Sequence, residues 1–352
     1  MKKIVAFLVI AGIFGCSLQT SVKVNTSSEE TPVFSLAWSE YVSWSTFGVA
    51  HELGILNGNE GEMSELEKKW NIDVVLKEAD YDTCIGYYAT GTCDAACLTN
   101  IDMLPPSFGR PVRAVLPTST SNGGDAVLSV AARSVQDLKG MEVYGLDKSV
   151  SEYCFWGGLE SLGENPSDYT FVGLDPSAAA QSLQTDSPTV KAICVWNPYK
   201  RSTLENQPKA QVVFDSTLIS GEIVDMVGVG EDSMSREGSD RFCACICEAY
   251  YEVCDRLNDP ATRNDTLVAL GAKFSDLNAE QMEICTTETL FYDTSSKGVE
   301  IYDGQPLKDA MQKVVKYCVS SGMCESEPVV NYGVSTPDGN LTFDSRFMEM
   351  VQ

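Results

Sequence analysis

Val33-Phe34-Ser35-Leu36-Ala37-Trp38-Ser39-Glu40-Tyr41-Val42-Ser43-Trp44 opens a pattern that the rest of the chain repeats. The apolar run Val33 to Ala37 reads as a strand, and Val42 to Leu53 has helical spacing that stops at Gly54, the first half of a βα unit. The alternation continues with a strand at Ile72–Leu76, a helix at Tyr81–Ala89 closed by Gly91, and strands at Ala95–Thr99 and Val112–Pro117. A loop over 119–124 leads to a strand at Ala126–Ala131. Strands follow at Glu142–Leu146, Thr170–Gly173 and Lys191–Trp196, with helices at Ser149–Leu162 and Ser177–Leu183 between them. After a crossing near Ile223–Val229 the chain is helical, at Arg241–Leu257, Asn264–Lys273, Ala279–Thr287 and Leu307–Ser320. Strands alternating with helices predict an α/β fold with mostly parallel sheets. At 352 residues the chain suits two lobes, one discontinuous (32–121 with 229–352) and one inserted (122–228), joined by two crossings.

The N-terminus reads as a processing signal. Met1-Lys2-Lys3 is basic, Ile4–Ile13 is apolar but far short of the roughly 20 residues that span a bilayer, and Ile13-Phe14-Gly15-Cys16 resembles a bacterial lipoprotein box. Residues 1–16 are therefore expected to be a signal peptide, Cys16 a lipidation site, and 17–31 a polar tether. This places the protein in the periplasm or at the cell surface, touching the membrane only through its anchor. A net charge of −25 with pI near 4.3 excludes a binder of nucleic-acid backbones. Thirteen cysteines are many. In an oxidising compartment they make disulfides plausible; Cys318 and Cys324, around a Ser-Ser-Gly turn, form the favoured pair, ahead of Cys93 with Cys97. Cys243, Cys247 and Cys254 share a helical face and read as small core hydrophobes. With one histidine, His51, and no paired C-x-x-C, no metal or cofactor is expected.

Several segments together resemble the nitrate/sulfonate/taurine-type periplasmic binding proteins. They are Trp38 to Trp44 with Ala50-His51-Glu52-Leu53-Gly54-Ile55, Tyr87 to Ala95, Asp137-Leu138-Lys139-Gly140 and Val195-Trp196-Asn197-Pro198. Thr99 to Leu104, Gly221 to Asp225, Gly304 to Met311 and Thr342 to Met348 are similar to the branch associated with urea carboxylase gene clusters. That pattern often carries a histidine where Glu152 stands here. The resemblance implies a two-lobe periplasmic binding protein of type II fold. It implies a monomer that hands a small nitrogen compound, urea- or guanidine-like, to an ABC permease and its ATPase. A ligand sensor of the same fold is the alternative.

In open α/β sheets ligands sit beyond the carboxyl ends of strands. That rule selects Trp38, Tyr41, Trp44, Asn100, Asp102, Asn122, Asp125, Glu152, Trp196, Asn197, Glu222 and Asp225. The set combines aromatic walls with amides and carboxylates and contains no lysine or arginine, which suits a ligand rich in N–H donors. Asp102 or Glu152 is the expected countercharge. Trp44 could equally be core, Glu222 and Asp225 could solvate a hinge, and Asp102 could cap the helix that follows it. No G-x-S-x-G, phosphate-loop or H-E-x-x-H motif is present, so no catalytic residue is assigned and the chain is not read as an enzyme.

Overall fold

The computed structural model describes residues 31–333 and 339–352. The expected signal, Cys16 and nearly all of the tether lie outside the described residues. The first passage of the chain comprises β1 (Val33–Trp38), α1 (Ser45–Glu52), α2 (Glu65–Trp70), β2 (Asp73–Glu78), α3 (Tyr81–Ala89), β3 (Ala95–Thr99), α4 (Leu104–Ser107) and β4 (Val112–Ser121). The second comprises β5 (Asp125–Ser129), β6 (Glu142–Gly145), α5 (Val150–Ser161), β7 (Thr170–Gly173), α6 (Pro176–Gln184), β8 (Ala192–Trp196), α7 (Tyr199–Asn206) and β9 (Gln211–Asp215). The third comprises β10 (Val224–Gly230), α8 (Glu231–Met234), α9 (Ser239–Asn258), α10 (Arg263–Ala272), α11 (Ala279–Thr287), β11 (Thr289–Phe291), α12 (Ser295–Asp303), α13 (Gln305–Ser320), β12 (Val330–Tyr332), β13 (Leu341–Phe343) and α14 (Arg346–Glu349).

Local chemistry sets many of these boundaries. Asp80 caps α3 by accepting from Thr83 N at 2.8 Å, and Gly91, at φ +70°, turns the chain out of its far end. Ser149 caps α5 through Ser151 N at 3.2 Å. The helix expected from Val42 starts later, at Ser45, because Trp44 N and Ser45 N both bond back to Tyr41 O and make a turn of 41–44.

Two sheets form. The larger has the order β12-β13-β4-β10-β3-β1-β2, with β11 also on β4, and the smaller has β7-β6-β8-β5-β9. Both are mixed. β1 pairs in parallel with β2 and β3, but β10 lies antiparallel between β3 and β4. In the smaller sheet β5 is antiparallel to both β8 and β9. These antiparallel members are the strands through which the chain passes between sheets, so crossing reverses their direction. The expected loop at 119–124 starts late for the same non-local reason: β11 pairs with Ser119–Ser121 and extends β4 to Ser121.

The crossings run side by side. Ser121 Oγ is 2.8 Å from Ser216 Oγ, which also accepts from Gly123 N at 2.8 Å. Asn100 pins the second crossing to the end of β3: its Nδ2 donates to Glu222 O at 2.9 Å and its Oδ1 accepts from Val224 N at 3.0 Å. The main core runs unbroken through both layers, from Phe34 to Phe155, and a satellite cluster around Leu128, Leu183 and Ile193 fills the outer face of the smaller sheet. α9 is buried on several sides, so Cys245 is as buried as Cys243, Cys247 and Cys254. α2 covers that further side, where Trp70 Nε1 donates to Glu248 at 2.7 Å. Among the described residues, no helix is long and apolar enough to cross a membrane.

Candidate functional site

Where the two sheets face each other, strand ends and helix starts enclose a cavity of about 10 Å³. Its walls are Tyr41, Trp44, Tyr81 and Thr99 on one side, Asp125, Val150 and Trp196 on the other, with Ile223 and Asp225 from the second crossing. The rings form a continuous wall. Tyr41 leans on Trp44 at 4.9 Å, Trp44 stacks on Tyr81 at 5.4 Å and 14°, and Tyr81 meets Trp196 edge-on at 5.7 Å. The last contact joins the two sides. A volume of this size holds about one water molecule, so any larger solute enters only when the sides part.

Two carboxylates, Asp125 and Asp225, line this space and a third, Asp102, lies behind Tyr81, each buried to 3% exposure or less. Burial pushes Asp125 up to about 6, with the Ser121 hydroxyl and the Lys200 charge pulling the other way. Burial likewise holds Asp225 well above the ordinary carboxylate range, against a hydrogen bond from Ser119 Oγ. None of the lining residues is basic. Lys200 is engaged elsewhere, donating to Gly123 O at 2.6 Å and pairing with Glu288 at 2.8 Å. Tyr41 Oη lies beside Thr289, Ser121 and Asp225, while Trp44 Nε1 in the wall and Asn197 Oδ1 behind it have no hydrogen-bond partner among the described residues.

Asp102 stands behind Tyr81 and does something different. Its Oδ2 accepts from Tyr81 Oη at 2.7 Å, from Thr99 Oγ1 at 3.1 Å and from Val150 N at 3.3 Å. Val150 is the first residue of α5, so a carboxylate from the larger-sheet side sits on a helix N-terminus of the smaller-sheet side. The cap that sequence allowed for Asp102 exists, but on a helix 48 positions away and not on α4, which has no side-chain cap. Burial pushes Asp102 up to about 6 in spite of these bonds.

The structure divides the remaining expected residues. Tyr41, Trp44, Asp125, Trp196 and Asp225 meet in the cavity, and Asn197 supports it by donating to Glu288 Oε2 at 2.8 Å. Trp38 belongs to the core instead, packed against α1 so closely that a methyl at Gly48 would meet its ring at 2.7 Å. Asn100 serves the crossing. Asn122 joins the first crossing to Glu288 O through its backbone N at 2.9 Å. Glu222 faces outward to α13: it accepts from Tyr153 Oη at 2.6 Å and pairs with Lys313. Glu152 is turned onto its own helix, accepting from Lys148 N at 2.6 Å and Trp156 Nε1 at 2.9 Å, and does not line the cavity. Sequence reasoning missed Tyr81, Thr99, Val150 and Ile223. Tyr81 had one available signal, as the first aromatic after the Asp80 cap; the others carry no distinctive chemistry.

No protein-family model matches the chain, and no curated protein matches it. Solved structures do. The periplasmic aliphatic sulphonate binding protein SsuA from Escherichia coli superposes with a TM-score of 0.63 at 15% identity, over 84% of this chain and 89% of that one. The zinc-bound ligand-binding component of an ABC-type import system from Staphylococcus aureus gives 0.66 at 9% identity, over 91% and 99%. The periplasmic nitrate-binding protein NrtA from Synechocystis PCC 6803 gives 0.56 at 12% identity, over 83% and 89%. At such identities the likeness carries the fold and not the ligand. The chain thus has the periplasmic-binding-protein fold, with sulfonate- and nitrate-binding proteins among its structural neighbours.

Proposed function

We propose that the chain is the extracytoplasmic solute-binding component of an ABC importer, capturing a small donor-rich nitrogen compound, urea- or guanidine-like, between its lobes. The lobes are taken as 32–121 with 229–352, and 122–228. The protein works as a monomer that delivers its solute to a permease and ATPase, and Cys16 anchors it at the membrane.

One observation carries the ligand assignment: an aromatic-walled cavity flanked by Asp125 and Asp225 with no basic side chain in its lining. A nitrate or sulfonate would meet two buried acids there. Guanidinium instead offers six N–H donors and a charge, and stacking on an indole adds roughly 0.5–2 kcal/mol. Asp125 and Asp225 take the countercharge role, and Asp102 holds the lobes together. Support for hinge closure comes from the small volume and from the contacts of Asp102 with Val150 and of Tyr81 with Trp196, which must break to admit a solute.

The test is thermal unfolding of the purified chain with guanidinium, urea, nitrate or taurine at millimolar concentrations. A ligand that binds only the folded state stabilises it by about 2.7 kcal/mol at a hundredfold excess over Kd. Guanidinium is expected to raise the melting temperature, and the two anions are not. A shift with the anions alone sinks the ligand assignment.

A further inference from the structure

All twelve described cysteines are free thiols, and they are not evenly spread. Two pairs are brought together by the fold: Cys324 N bonds to Cys318 O at 2.8 Å, and Cys194 Sγ lies 3.2 Å from Ser151 O, one helical turn before Cys154. Both pairs are almost fully enclosed, at 0% and 3% exposure for the first and 1% and 0% for the second.

We propose that these four cysteines form two disulfides, Cys318–Cys324 and Cys154–Cys194, that anchor the two helices meeting at the mouth of the cleft. For the first pair the backbone already holds the geometry. Gly322, at φ +73°, turns the chain back after α13, and Cys324 N bonds to Cys318 O at 2.8 Å. A direct backbone hydrogen bond between the two residues brings their Cα atoms close together, as a disulfide requires. The second pair joins the first turns of α5 to the middle of β8, where Cys194 Sγ also lies 3.2 Å from Ser151 O.

The position of the pairs gives them a consequence for the site. α5 presents Val150 N to Asp102, and β8 ends in Trp196, so Cys154–Cys194 would fix one wall of the cavity. α13 presents Lys313 to Glu222, and its Tyr317 ring meets Tyr153 of α5 edge-on at 5.1 Å. Cys318–Cys324 would stop the end of that helix from fraying.

The oxidant is a disulfide-bonded thiol compound, met outside the cytoplasm; that setting rests on the extracytoplasmic reading above. One cysteine thiolate attacks a sulfur of the oxidant and releases one of its thiols. The partner cysteine then attacks the mixed disulfide and releases the second. Each pair loses two electrons and two protons, and the oxidant becomes two thiols. Because the sites are enclosed, this happens as the chain folds.

The test refolds the full reduced chain in a glutathione/glutathione disulfide buffer, blocks remaining thiols with iodoacetamide and maps tryptic peptides without reduction. Expected are a 317–346 peptide that is unalkylated and two hydrogens lighter than its dithiol form, and a 149–191 peptide linked to 192–200. Reducing the oxidised protein should lower its melting temperature by about 5 °C. In C318A the first signature should vanish while the 149–191 to 192–200 link persists, and C154A should do the reverse, so misfolding of one variant leaves the other pair readable. Alkylation of all four cysteines, or partners other than these, overturns the proposal. The map uses no solute, so a chain that binds no guanidinium still reports on pairing, and unpaired cysteines leave the ligand test standing.

Discussion

Replacing Asp125 by Asn should strengthen the empty protein and ruin its binding. Asp125 is fully enclosed, and burial raises it from 3.8 to about 6. At about 1.4 kcal/mol per pKa unit, keeping it ionised at neutral pH costs the folded state roughly 3 kcal/mol. The amide removes that cost while preserving shape and the hydrogen bond of the 125 backbone N to Ser121 Oγ at 3.1 Å. Bound guanidinium about 4 Å from the carboxylate would gain about 4 kcal/mol at an effective dielectric of 20. The asparagine oxygen returns part of this as a hydrogen bond of about 1 kcal/mol. Affinity should therefore fall by roughly two orders of magnitude while the melting temperature of the empty protein rises by several degrees. Calorimetric titration and thermal unfolding of both proteins at pH 7.5 read the two effects. An ordinary core polar residue would give destabilisation without selective loss of binding. Wild-type affinity in the variant, or a lower melting temperature, would refute the reasoning.

The same burial sets a pH dependence. Asp102 and Asp125 have folded-state values raised to about 6, above their unfolded ones, so their destabilisation is greatest above about pH 6 and fades as they protonate; Asp225 is raised as well and acts in the same direction. Asp94 and Asp344 are depressed and oppose this only below about pH 4. The empty protein should melt higher at pH 5 than at pH 7.5 and lower again at pH 3, whereas guanidinium affinity should fall between pH 7.5 and 5; a flat melting profile would contradict the burial of these acids. Trp196→Ala should cost about 3–5 kcal/mol of stability and at least tenfold in affinity, while Trp196→Phe keeps much of both, checked by denaturant unfolding and titration. Tyr81→Phe removes the hydroxyl that meets Asp102 at 2.7 Å, and with it roughly 1–2 kcal/mol. Solute affinity should drop about 5- to 20-fold by titration, because Asp102 then grips the α5 N-terminus less well.

Local pattern determined much of the fold. The helix at Tyr81–Ala89, the strands at Ala95–Thr99 and Thr170–Gly173 and the helix at Ala279–Thr287 agree with the structure to the residue, because their periods and caps lie within the segments themselves. The strands β11, β12 and β13 were invisible, because runs of three residues show no period and exist through the strands beside them; β9, as long as β3, was missed although Val212-Val213-Phe214 carries a strand signal. The site followed the same division. Aromatics and acids at strand ends were legible as a class, since strand ends are where such ligands sit, and five of the twelve line the cavity. Which acid faces the cavity was not legible. Asp102, Asp125, Glu152, Glu222 and Asp225 are alike as letters, and only the closing of one sheet on the other gives Asp102 the α5 N-terminus, turns Glu152 and Glu222 onto neighbours of their own, and encloses Asp125 and Asp225 in the cavity lining. Burial and pairing are sums over contacts between distant segments, so tertiary structure alone could assign them.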